Sequence, residues 1–134
     1  MSHQERNDFM LFKKKNKDII NVMHYQGLEG FNQDYPCLIE IKDDKFEIKK
    51  IKPELVVTLS INQIIKIDSL KDNEFMQKYN NTVGTNNKKY YLVITYISKD
   101  NQEKEIIFWG TASEAIKFDN LKFKFNGNTE NYSL

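Results

Sequence analysis

The chain has 134 residues, 40% of them hydrophobic and 29% charged, with a net charge of +1. That length holds one domain and buries roughly 65–70% of its unfolded surface. The composition is that of an ordinary globular chain, not a wholly disordered one, and the near-zero charge gives no global field toward nucleic acid or acidic membrane. One cysteine, Cys37, excludes an internal disulfide. Apolar runs fall well short of the roughly 20 residues that span a bilayer. The start, with Phe9 to Phe12 ahead of a lysine run, has the reverse order of a signal peptide, so the expected compartment is cytoplasmic. Heavy use of Lys, Asn and Ile, with Arg6 as the single arginine, points to an AT-rich, bacterial source.

Residues 1–17 read as a flexible basic and apolar N-terminal segment. Structure is expected from residue 18, with Ile20, Val22 and His24 sharing one parity of a first strand. Gly27 and Gly30 then bracket a turn-rich loop that ends at Tyr35 and Pro36. From there Cys37, Ile39 and Ile41 alternate with Glu40 and Lys42. After Asp43-Asp44, Phe46 and Ile48 alternate with Glu47 and Lys49, so 36–42 and 45–51 read as a hairpin. Leu55, Val57 and Leu59 continue the pattern after Pro53, and SINQIIKIDSL bends into a further strand.

Residues 71–88, rich in Asn and Lys, read as one long loop anchored by Phe75, Met76 and Tyr79. YYLVITYI (90–97) is nearly continuous in β-branched and aromatic residues, as in a strand covered on both faces, and KEIIFWG returns as its partner. Thr111 and Glu114 have capping-box spacing, and Ala112, Ala115, Ile116, Phe118 and Leu121 follow at helical spacing. The period changes at LKFKF, and residues 126–134 read as a disordered tail.

The order of these elements resembles the pleckstrin-homology-like superfamily in its small bacterial, GRAM-like form. The matching stretches are GLEG, CLIEIKDDKFEI, SINQIIKI, and YYLVITYISKDNQEKEIIFWG followed by TASEAIKFDNLKF, covering 20–125. The resemblance implies a mainly β (α+β) fold over 18–125: a partly open seven-stranded antiparallel barrel capped by one C-terminal α-helix. That scaffold serves phosphoinositides, peptides and proteins, so it does not fix function. The lipid-binding branch converges cations on the first inter-strand loop, whereas QGLEGFNQDYP carries Glu29 and Asp34 and no base.

Catalysis requires a nucleophile or acid/base group with supporting partners. Only two histidines occur, His3 and His24, and no HExxH, GxSxG, Walker or dinucleotide glycine motif is present. The expectation is a chain that is not an enzyme, with no catalytic, metal or cofactor site. A Cys37–His24 couple across neighbouring strands is the one arrangement to check, against the simpler reading of Cys37 as a small core residue.

Three surfaces remain as candidates. Phe9, Leu11 and Phe12 beside Lys13, Lys14 and Lys15 would give weak adsorption to an anionic membrane, each lysine worth about 1 kcal/mol, or else serve as a tether. Phe31 and Tyr35 in the glycine loop, and Phe123 and Phe125 beyond the helix, are the aromatics hardest to bury, hence candidate contact residues or plugs of the barrel ends. Lys42, Lys45, Lys49, Lys50 and Lys52 are interspersed with acids, which reads as mixed-charge solvation and against a nucleic-acid surface. The leading expectation is a non-catalytic module for an unknown protein or peptide partner. Weak membrane contact and self-assembly into a homo-oligomer are the alternatives.

Overall fold

The computed structural model describes residues 19–52, 54–84 and 88–130, with side chains through 125. The candidates Phe9, Leu11, Phe12, Lys13, Lys14 and Lys15 lie outside those residues. Seven strands, β1 (Ile19–Gln26), β2 (Tyr35–Ile41), β3 (Lys45–Lys50), β4 (Leu55–Ser60), β5 (Ile64–Lys71), β6 (Tyr90–Ile97) and β7 (Glu103–Gly110), form one antiparallel sheet. Their spatial order is β4-β3-β2-β1-β7-β6-β5, so the sheet is not closed and β4 and β5 are its edges. Among the described residues two α-helices accompany it, α1 (Asp72–Tyr79) and the C-terminal α2 (Ala112–Glu130). Among the described residues, no helix is long and apolar enough to cross a membrane.

Turn chemistry sets the corners. Gly27 adopts φ +114°, and a Cβ there would meet the Glu105 carbonyl oxygen at 2.4 Å, so only glycine lets the β1–β2 loop cross β7. Between β4 and β5, Ser60 and Gln63 form a capping box around a single 3-10 turn (Ile61–Gln63). The Gln63 amide also donates to the Ile97 carbonyl at 2.9 Å, pinning this corner to the end of β6.

The two sheet faces carry separate cores because side chains alternate along each strand. On the inner face Ile20, Val22, Ile39, Phe46, Ile48, Ile67, Leu92, Ile94, Ile106 and Phe108 pack under Phe118 and Leu121 of α2. On the outer face Tyr91, Val93 and Ile107 pack under Phe75 of α1, with Tyr25, Leu70, Met76, Tyr79 and Trp109 around them. The Phe75 and Tyr91 rings stack at 3.8 Å and 4°. Strand β6 is thus buried through both parities, as its composition predicts.

Three expectations change. The stretch 71–88 contains a helix where a loop was expected, so among the described residues the helix at the C-terminus is one of two α-helices. Eight residues are too few for a helix to hold itself in water, and α1 persists because Phe75 is 1% exposed against the sheet. In α2 the buried line is Phe118 and Leu121, continued by the half-buried Phe125, while Ile116 is 66% exposed. The helix also runs on to Glu130, so five residues of the tail expected from 126 are helical.

The Thr111–Glu114 cap forms in part. The Glu114 carboxylate accepts from the Thr111 N–H at 2.8 Å and from its hydroxyl at 2.7 Å. The Glu114 N–H, however, donates to the Thr111 carbonyl, not to the Thr111 hydroxyl.

Candidate functional site

α1 covers the β5-β6-β7 side of the outer face and reaches β1 only at its end, at Tyr25. Over β1, β2 and β3 that face is open, and two adjoining depressions of about 370 Å³ each share a floor of Asn21, Pro36 and Cys37. One extends over Leu38, Tyr35, Lys49, Ile51 and Lys52. The other extends past Met23 to Trp109, Thr111 and Glu114. Together they make a single trough across four strands.

Strand register explains the lining. Asn21 pairs with Leu38, Leu38 with Lys49, and Lys49 with Val56, which sets one cross-strand row. Pro36, Met23 and Trp109 set the next. The strands therefore place apolar side chains at outward positions where alternation would put polar ones. Asn21 stands exposed among them, its amide without a side-chain partner among the described residues.

One end of the trough carries Lys49 and Lys52. Lys49 binds Glu40 at 2.8 Å and Glu47 at 3.5 Å, and the Glu40 contact is the main reason its ammonium is held above the ordinary lysine range. Glu47 is held low in turn, chiefly by its hydrogen bond with Lys42. Lys52 is exposed, and its carbonyl accepts from the Tyr35 hydroxyl. At the opposite end the Glu114 carboxylate is committed to the cap of α2.

One rim is held by the β1–β2 loop. The Trp109 indole N–H donates to Asp34 at 2.7 Å, and the Lys89 ammonium lies 4.3 Å from the Trp109 ring centroid. Asp34 has φ 58°, a conformation that aspartate tolerates better than most residues. Beneath the loop His24 is 1% exposed, its Nδ1–H donating to the Asn32 carbonyl at 2.9 Å and its Nε2 accepting the Leu28 N–H at 3.2 Å. Burial lowers its pKa below 6.5, with the Asn32 contact working the other way. Lys50 is also buried: its ammonium donates to the Gly30 carbonyl and lies 5.5 Å from Phe31 and 5.3 Å from Tyr35.

Both imidazole nitrogens are thus engaged by the loop, so His24 is not placed to act as a base toward Cys37. Burial pushes the Cys37 thiol up to about 12, which keeps it protonated and unreactive at neutral pH.

Of the four described residues expected to resist burial, Tyr35 lines the trough and Phe123 is 78% exposed on α2. Phe31 is buried at 6%, because the loop folds its ring against His24 at 5.4 Å. Phe125 is half-buried edge-on to Phe46 at 5.6 Å, because α2 continues as a helix through LKFKF. Neither is an exposed contact residue. The basic group on the first hairpin also divides: Lys42, Lys45 and Lys49 pair with Glu40 and Glu47, while Lys50 is inside.

No protein-family model matches this chain, and no curated protein matches it.

Asn21, Met23, Leu38 and Trp109 are the site residues that sequence reasoning missed. The signal available was the outward parity of β1 and β2, where Met23, Pro36 and Leu38 are apolar although the neighbouring outward positions are Asn21 and Glu40.

Proposed function

We propose that the chain is a non-catalytic binding module of pleckstrin-homology-like build that takes a protein or peptide segment into the outer trough. The observation that carries this reading is the half-covered outer face: α1 buries one side of it, while the side around Asn21 stays apolar, concave and open. A peptide would lay apolar side chains on Pro36, Leu38 and Ile51, hydrogen-bond Asn21, and set a carboxylate near Lys52. The strand order, the open edges and the helix over the inner core support the superfamily reading. The lone, buried cysteine supports a reducing, cytosolic setting.

The test is an affinity pull-down from the source cell with wild type, the trough variant Leu38→Glu/Ile51→Glu, and Phe123→Ser. A saturable partner retained by Phe123→Ser and lost by the trough variant is expected. Recovery of the same partner by the trough variant, or of none by the wild type, would refute this assignment.

A further inference from the structure

We propose that β4 is the contact edge of a two-fold homodimer in which β4 pairs antiparallel with β4 of a second copy, independently of the trough. Strand β4 has β3 on one side and, among the described residues, no strand on the other. Edge strands exposed in this way are commonly blunted by charge or proline within the strand. Here the chain from Leu55 to Ile65 carries no ionisable side chain, and Val56 is 45% exposed.

The strand is self-complementary in one register. With the two-fold axis at Val57, Leu55 faces Leu59 of the second copy and Val56 faces Thr58 of the second copy, each pair occurring twice. Inward residues meet inward and outward meet outward, as antiparallel pairing demands. The half-buried Leu55 and Val57 then join the two inner cores.

Charge complementarity supports a second copy as the occupant. Within one chain Lys45 pairs with Ser60, and its nearest described carboxylate, on Glu47, is 3.9 Å away. In the dimer register Ser60 faces Glu54 of the second copy, so each outer row reads Lys45, Ser60, Glu54. Lys45 and Glu54 stand two strand spacings apart, about 10 Å, which two long side chains bridge from opposite sides. An arbitrary peptide would not supply this match on both sides of a two-fold axis.

The test is the mass of the full chain by light scattering after gel filtration, over a concentration series. Wild type is expected to rise from 15.9 kDa toward twice that mass. Thr58→Lys, at an exposed edge position, is expected to stay at the monomer mass with unchanged circular dichroism, because it sets two cations near each other across the axis. Lys45→Glu should weaken the dimer about two- to tenfold, and adding Glu54→Lys should restore it. A wild type that is monomeric up to its solubility limit overturns the proposal. So does a dimer indifferent to Thr58→Lys, which places the contact elsewhere.

Discussion

The acid response of His24 follows directly from its hydrogen bonds. The ring is neutral in the folded chain, and one ring nitrogen donates while the other accepts. Protonation converts Nε2 from acceptor to donor, so it opposes the Leu28 N–H and places a charge beside Phe31 and Phe108. The folded pKa lies below the ordinary 6.5, so the unfolded chain binds the proton first. Stability from this group is therefore complete above pH 6.5 and is lost as pH falls toward the folded pKa. The slope reaches at most about 1.4 kcal/mol per pH unit for one proton. Glu47, Asp100 and Glu114 are all held below their ordinary values, so their own contributions are lost at lower pH than that of His24.

Urea unfolding at stepped pH measures the slope. His24→Leu should lose it while costing about 2–5 kcal/mol at neutral pH, since the Asn32 carbonyl and the Leu28 N–H lose their partner. His3→Gln should keep it. An unchanged slope in His24→Leu, or an NMR titration of His24 at or above 6.5, would refute the reasoning.

Two further outcomes concern the outer face. Phe75→Ala removes the ring stacked on Tyr91 and should cost about 3–5 kcal/mol, with amide exchange in α1 rising to the open limit; full retention of α1 protection would refute its dependence on that one ring. Asp34→Ala frees the indole N–H of the chain's single tryptophan, so Trp109 emission should shift to the red as the loop loosens; an unmoved spectrum would mean that Lys89 and the sheet hold the ring without Asp34.

Strands were legible where one periodicity acted alone. β6 is found at 90–97 as its composition predicts; β2 lies one residue earlier than expected at both ends, and β3 starts at 45 as expected and ends one residue early. α1 was hidden because its evidence is tertiary: DNEFMQKY has a helical spacing of Phe75, Met76 and Tyr79, but the rings that hold it lie on Tyr25 and Tyr91. Phe31 misled for the same reason, since a glycine loop can turn an aromatic ring inward when a buried histidine stands beneath it. The trough was illegible in a different sense. It is defined by what α1 does not reach, and no local pattern around Asn21 or Leu38 encodes the extent of a distant helix.

That uneven covering gives the strands unequal freedom to vary. Along β6, Tyr91 and Val93 answer to one core and Leu92 and Ile94 to the other, so four successive positions have no solvent side on which a charge could sit. In β3, by contrast, Lys45, Glu47 and Lys49 alternate with Phe46 and Ile48. Every second residue there points away from the inner core, so a change of side chain leaves that core's packing untouched. The sheet therefore has a rigid half, written almost wholly by packing, and a half whose outer face is open to rewriting by whatever it meets.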